Sequence, residues 1–131
     1  MLEKDLVDED YRIIFFQLKN VDREGHKTTF DHENQEYLKD IEQVDSQIGR
    51  VMNAINSRAT RDEEEWLIAI TTDHGGWMYN HATYAESDRR IFLILSGDGV
   101  KKGHIPSDCY TKVSHMDVFP SVFEYMRLPI K

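Results

Sequence analysis

Three short apolar segments stand out along the chain, at residues 13–18, 66–70 and 91–95. Each has the length of a β-strand, and the first and third are almost continuously apolar. Strands of this kind are typical of parallel sheets that are covered by helices on both faces. The pattern therefore predicts an α/β fold, with a mainly parallel sheet flanked by helices.

Two further segments have the periodicity of amphipathic helices. From about residue 33 to residue 58, apolar side chains recur at steps of three and four and form one apolar stripe. Asp31 is the predicted N-cap of this helix. Because the helix lies between the first two predicted strands, it indicates a right-handed crossover. A shorter helix is predicted over residues 117–127, with Pro120 in its first turn, and residues 96–103 form a predicted turn region.

Composition limits the classes of protein to which the chain can belong. Its 131 residues are 40% hydrophobic and 31% charged, which predicts a single soluble domain over residues 1–131. The formal charge of -8 argues against a nucleic-acid duplex or an anionic membrane surface as the main partner. No apolar run approaches the roughly 18 residues of a membrane span. Cys109 is the only cysteine, which excludes an internal disulfide and a cysteine-based zinc site.

Polar residues that can bind metals follow the first two predicted strands. Asp22 and His26 come after the first strand, and Asp73 and His74 come after the second. The carboxyl ends of parallel strands meet at one edge of a sheet, so both couples are expected there. Asp and His together favour Zn²⁺ or Mn²⁺ over Ca²⁺. His81, seven residues beyond His74, is close enough along the chain to join them.

Each of these residues also has an ordinary structural interpretation. A single Asp or His after a strand is usually a cap, a turn former or a surface residue, so spacing alone leaves both interpretations open. Gly25 and Gly75 are expected to allow sharp turns beside the candidate ligands. Trp77, Tyr79 and Tyr84 can stack on a substrate ring, although covering the core is the favoured interpretation for these aromatic side chains.

The motifs at residues 22–26 (Asp-x-x-Gly-His) and 71–76 (Thr-Thr-Asp-His-Gly-Gly) resemble metal-ligand motifs of the alkaline phosphatase superfamily. The similarity covers about residues 11–130 and is closest to the nucleotide pyrophosphatase/phosphodiesterase branch. It implies two divalent metal ions, Zn²⁺ before Mn²⁺, and hydrolysis of phosphate mono- or diesters. Asp22, His26 and His81 are implied as ligands of one ion, and Asp73 and His74 as ligands of the other.

The chain also departs from the family pattern. The later His of the family is commonly followed by Gly, whereas Ala82 follows His81, so His104 and His115 remain rivals for this ligand position. The family's Ser or Thr nucleophile comes from an N-terminal strand, which nothing before Tyr11 supplies. The chain is therefore expected to be the C-terminal half of a larger domain, without the catalytic nucleophile and inactive alone.

The expected partners are a small phosphate or sulfate ester and either a second copy of the chain or an N-terminal half. Three alternatives remain open at this stage. The chain resembles sulfatases and phosphomutases of the same superfamily as well. It is also compatible with a non-catalytic α/β domain that binds a partner.

Overall fold

The computed structural model describes residue 4, residues 6–7, residues 10–105 and residues 113–129. Cys109 lies outside the described residues. The chain divides into two compact units, each built from two stretches of sequence. The first unit comprises Met1–Glu64 and Gly75–Arg89, and the second comprises Glu65–His74 and Arg90–Lys131. In the part of the chain that the structure describes, no helix has the length and apolarity that crossing a membrane requires.

Helices dominate the first unit. Among the described residues they include α1 (Asn20–Thr28), α2 (Gln35–Asn56), a 3-10 helix (Arg61–Glu63) and α3 (Glu86–Arg89), and residues 4 and 6–7 are also helical. The long predicted helix is confirmed, with each end two residues inside the predicted range.

The predicted cap of this helix is wrong. The Asn34 side chain accepts a hydrogen bond from the backbone N–H of Glu36 at 3.1 Å, so Asn34 is the N-cap. The Asp31 carboxylate instead accepts from the N–H of Glu33 at 2.9 Å and shapes the preceding turn.

The most deeply buried part of the first unit lies at the end of α2. Leu6, Ala54 and Ile55 are 2%, 7% and 4% exposed. The Arg58 guanidinium covers this region, with Nη2 2.8 Å from Oε1 of Glu64 and with a hydrogen bond from Nη1 to the carbonyl of Leu6. Because the Arg58 side chain is itself buried, its charge requires this carboxylate partner. Further along the helices, α1 packs against α2.

The first predicted strand is not formed. Residues 13–18 have neither helical nor strand structure, and Ile13 and Phe15 are 59% and 89% exposed. A β-strand is stabilised by pairing its backbone groups with a neighbouring strand, and among the described residues no strand pairs with this segment. The predicted crossover from this strand through α2 is therefore wrong as well.

The second unit contains the sheet. Strands β1 (Leu67–Thr71) and β2 (Leu93–Gly97) pair antiparallel, with Leu67 opposite Gly97 and Thr71 opposite Leu93. Helix α4 (Val118–Tyr125) follows a 3-10 helix (His115–Asp117) and contacts β1. The positions of both strands and of the late helix agree with the prediction, and Pro120 lies in the first turn of α4. The described residues form an α/β mixture with a small antiparallel sheet, and the predicted mainly parallel sheet is not among them.

Burial along β2 explains why its sequence is misleading. Leu93 and Leu95 are half-buried, whereas Ile94 between them is 51% exposed. The strand therefore has one covered face, although its nearly unbroken run of apolar residues is typical of a strand that is covered on both faces. The predicted turn follows directly, with Gly97 and Gly99 at φ 136° and 74°, values that glycine adopts readily.

Candidate metal centre

Three predicted ligands come together in the first unit. Asp22 and His26 lie four residues apart on α1, which places them on the same helix face. His81 approaches them from the loop between residues 75 and 85. Nε2 of His26 is 3.4 Å, and Nε2 of His81 is 3.5 Å, from Oδ1 of Asp22. The two Nε2 atoms are 3.0 Å apart. We call these three residues the Asp22 cluster.

The environment of the predicted ligands differs from the prediction in one respect. Asp22 and His26 are predicted to lie in a loop after a strand, whereas the structure places both on α1. Gly25 is predicted to allow a sharp turn between them, but it is a buried residue inside this helix. Its lack of a side chain serves packing instead, because a Cβ atom at this position would overlap the ring of Phe30. Gly75 has no positive φ, and its N–H donates to the carbonyl of Asp88 at 2.8 Å.

Phe30 packs against both imidazole rings of the Asp22 cluster. Its ring centre lies 5.3 Å from that of His26 and 6.1 Å from that of His81, and both contacts are edge-to-face. Tyr37 on α2 makes a similar contact with Phe30 at 5.7 Å. Edge-to-face contacts of this kind are favourable and directional. Phe30 therefore restricts the orientation of the two histidines from the side of α2.

A backbone carbonyl determines which nitrogen of His26 faces the cluster. Nδ1 of His26 lies 2.8 Å from the carbonyl oxygen of Tyr79. A carbonyl can only accept, so Nδ1 carries the proton, and in the neutral imidazole Nε2 keeps its lone pair. That lone pair points toward Asp22 and His81. Histidines that bind metals are commonly oriented by this kind of contact on the opposite ring nitrogen.

The negative charge of the cluster is partly shielded from solvent. The Asp22 side chain is 46% exposed as a whole, yet its Oδ1 atom is almost completely covered. Burial, and secondarily the charge of Asp22, raise the pKa of the nearby Tyr37 hydroxyl above its ordinary value of 10.0. The charge of Asp22 on α1 thus acts on Tyr37 on α2.

The donor atoms of the Asp22 cluster fit a divalent metal ion. With bonds of about 2.0–2.1 Å, the ligand atoms of a tetrahedral zinc ion lie about 3.3–3.4 Å apart. The observed separations of 3.0, 3.4 and 3.5 Å are close to this value. One carboxylate and two imidazoles also form a typical set of ligands for zinc at a catalytic site. Within the described ranges, this is the one group of at least three such donors close enough to share an ion.

Ala82, which follows His81 where the family commonly has glycine, adopts a backbone conformation that glycine favours. Ala82 has φ 71°, in the left-handed region that favours glycine. The residue after His81 therefore has the conformation that a glycine would adopt, although the sequence has alanine there. Met78, on the other side of His81, also has a positive φ of 52°. Such conformations persist where the surrounding structure holds them, and they are frequent at functional sites.

Asp88 holds the loop that carries His81, a role that no motif or spacing in the sequence indicates. Its carboxylate, 6% exposed, accepts from the N–H of Thr83 at 2.7 Å and from its hydroxyl at 2.6 Å. The hydrogen bonds from the Thr83 hydroxyl and backbone keep the pKa of Asp88 below its ordinary value, against the opposing effect of burial. An ionised Asp88 is thus tied to a residue two positions from His81.

The rival histidines do not join the Asp22 cluster. Both belong to the second unit. Nε2 of His115 lies 2.6 Å from the carbonyl oxygen of Thr72, and His104 is exposed. His32 is also exposed, at 91% of its side chain. His81 is therefore the histidine that the structure places beside Asp22 and His26.

Asp73 and His74 form a separate pair in the second unit, just beyond the end of β1 as predicted. Oδ2 of Asp73 and Nε2 of His74 are 3.8 Å apart, and the two side chains are 71% and 27% exposed. The contact of His115 with Thr72 fixes the chain immediately before this pair.

The sequence matches one family model, described as Sulfatase, over residues 7–128. No curated protein and no solved structure matches the chain.

Proposed function

Because this chain belongs to the sulfatase family, within the alkaline phosphatase superfamily, we propose that it carries metal-binding residues of an enzyme that hydrolyses phosphate esters. Domains of this family bind metal ions and are associated with the hydrolysis of sulfate or phosphate esters. The choice of phosphate esters, and of the phosphodiesterase-like branch, is our proposal. Sulfate esters are the second candidate, because the family match supports them equally.

The observation that carries the proposal is the convergence of Asp22, His26 and His81 on one point. Asp22 supplies negative charge, and the two histidines supply neutral nitrogen donors. The Tyr79 carbonyl and Phe30 hold His26 in the orientation in which its Nε2 lone pair faces that point. Asp22, His26 and His81 would hold a divalent ion there, and its charge would polarise an ester and lower the pKa of an attacking hydroxyl or water.

We propose that the pair Asp73 and His74 contributes to binding a second ion, as the motif at residues 71–76 implies. A second ion favours a phosphate monoester over a sulfate monoester, because near neutral pH the phosphate monoester carries two negative charges and the sulfate monoester carries one. A phosphate diester also carries one negative charge, so this argument separates the monoesters alone.

Calorimetric titration of the purified chain with Zn²⁺, and separately with Mn²⁺, tests the ligand assignment. We expect His26→Ala and His81→Ala to weaken Zn²⁺ binding by more than about a hundredfold, because even the loss of a residue that only orients a ligand costs about 10–100-fold. His32→Ala is the matched control, since His32 is exposed and lies outside the Asp22 cluster. Unchanged Zn²⁺ affinity in His26→Ala would exclude the assignment.

The choice between phosphate and sulfate is tested by the binding of two monoesters of the same alcohol. The Zn²⁺-loaded chain is titrated with phenyl phosphate and with phenyl sulfate under the same conditions. We expect phenyl phosphate to bind more tightly and Asp73→Asn to reduce the difference. Equal or tighter binding of phenyl sulfate would favour the sulfate-ester alternative.

A further inference from the structure

The loop that carries His81 also forms a shallow pocket of about 340 Å³. Its lining surface is mostly apolar. Its lining includes Trp77, Met78, Tyr79, Ala85, Thr83 and Asp88. We call it the Trp77 pocket.

The aromatic side chains of this loop do not cover the core. Trp77 and Tyr79 are 67% and 55% exposed, and Tyr84 is 96% exposed, so the interpretation favoured by the sequence is wrong for these residues. Trp77 and Tyr79 line the pocket, whereas Tyr84 is not part of its lining. Exposed aromatic rings that line a concave surface can contact a ligand ring with little loss of side-chain freedom.

The Trp77 pocket and the Asp22 cluster are built from the same short segment. The carbonyl of Tyr79, a pocket residue, accepts the hydrogen bond that orients His26. His81 lies between two further pocket residues, Asn80 and Thr83. The two sites therefore share one stretch of backbone, residues 79–83, which carries His81 of the cluster and three residues of the pocket lining.

Size and charge indicate what the pocket can accept. Small-molecule sites have volumes of about 300–1,000 Å³, so 340 Å³ accommodates a ring with a few substituents rather than a long chain. The charged residue on the lining is Asp88, an anion. Its charge disfavours a second phosphate, sulfate or carboxylate group in the pocket, and the apolar lining favours an uncharged ring.

We propose that the Trp77 pocket binds the uncharged aromatic alcohol portion of the ester whose charged group is held at the Asp22 cluster. The inference rests on the proposed function for the position of the charged group. In this arrangement Trp77 and Tyr79 contact the ring, and Asp88 excludes substrates that carry further negative charge on the alcohol.

The pocket is tested first with 2-naphthol, an uncharged aromatic alcohol, by calorimetry on the chain without added metal. We expect saturable binding to the wild-type chain and to Tyr84→Ala, the matched aromatic control. Binding to Trp77→Ala should be weaker by about tenfold, from the apolar contact area that is lost. Ala85→Leu, which fills the pocket instead of emptying it, should weaken binding as well. Absence of saturable binding, or equal binding to all four proteins, would overturn the proposal.

The link to the ester is tested with two phosphonates that cannot be hydrolysed as esters. Phenylphosphonate and methylphosphonate carry the same charged group and differ in the ring. We expect the Zn²⁺-loaded wild-type chain to prefer phenylphosphonate by about tenfold and Trp77→Ala to lose this preference while keeping its Zn²⁺ affinity. Equal binding of both phosphonates to the wild type would exclude the ester's ring as the occupant. Failure of Zn²⁺ binding itself would refute the proposed function, whereas the 2-naphthol result would still decide whether the pocket binds an aromatic alcohol.

Discussion

Phe30 links α1 to the loop that carries His81, since it touches residues of both. Two glycines make its position possible, Gly25 on α1 and Gly76 at the end of the second motif. A Cβ at either residue would overlap the Phe30 ring. The geometry of His26 and His81 thus depends on residues that bind no metal themselves.

Substitution of Gly25 tests this packing. We expect Gly25→Ala to lower the free energy of unfolding by about 1–3 kcal/mol, because the added methyl group displaces Phe30. Zn²⁺ affinity should fall as well, since Phe30 restricts both histidines. Gly49→Ala on α2 is the matched control, as its Cβ would meet no atom within 4 Å. This control should be more stable than the wild type by about 0.5–1 kcal/mol, from helix propensity alone. Urea denaturation measures both variants, and equal effects of the two would contradict the packing argument.

Tyr37 provides a pH-dependent test of the same region. Burial and the charge of Asp22 raise its pKa in the folded chain above 10.0, so the unfolded chain loses this proton first. The contribution of Tyr37 to stability is therefore complete below pH 10.0 and is lost as the pH rises through the raised value. We expect Tyr37→Phe to lose less stability than the wild type as the pH is raised past 10.0. Denaturation at a series of pH values measures this, with Tyr84→Phe as the exposed control, which should follow the wild type.

At the level of residues, the sequence predicts those site residues that belong to a recognisable motif. The spacing of Asp22 and His26, and the resemblance that added His81, named three side chains that the structure brings together. Their role as ligands stays a prediction. Phe30 and Asp88 were missed because their roles arise from contacts with residues distant in sequence or from a hydrogen bond within an irregular loop. Neither gives a periodic or spaced pattern.

At the level of elements, the helices were predicted more accurately than the sheet. The periodicity of α2 and α4 follows from local repeats of three and four residues, which the sequence displays directly. The pairing of a strand depends on which other segment of the chain lies next to it in the fold. The local sequence of the strand does not indicate which segment this is. The strands β1 and β2 were therefore predicted in position, whereas their antiparallel pairing and the absence of strand structure at residues 13–18 were not.

The loop around Asp88 is the element on which the His81 position depends. Replacing Asp88 by Asn removes the charge that accepts two hydrogen bonds from Thr83, while the size of the side chain is kept. We expect Asp88→Asn to lower Zn²⁺ affinity by about 10–100-fold, as for other residues that support a metal ligand. Ser87→Ala is the control, because its hydroxyl makes only a long contact of 3.4 Å with Asp88. Equal Zn²⁺ affinity in Asp88→Asn and the wild type would show that the loop is held by other contacts.

For the whole molecule, the exposed segment at residues 13–18 has the clearest consequence. It contains two isoleucines and two phenylalanines without a charged residue, and Phe15 is 89% exposed. Unpaired apolar segments of this composition favour association with another chain. We expect the isolated chain to self-associate as its concentration rises and Phe15→Lys to reduce this association. Sedimentation equilibrium measures the mass, with Tyr84→Lys as the control for the loss of an exposed aromatic residue. A wild-type chain that stays monomeric at every concentration would contradict this expectation.

The position of Phe30 between two glycines also limits how this sequence can change during evolution. A larger residue at position 25 or at position 76 is compatible with the fold only when position 30 carries a smaller side chain than phenylalanine. The three positions should therefore vary together among related chains, although Gly25 and Gly76 are 51 positions apart in the sequence. An alanine at position 25 beside an unchanged phenylalanine at position 30 would mark a relative in which the two histidines are oriented differently.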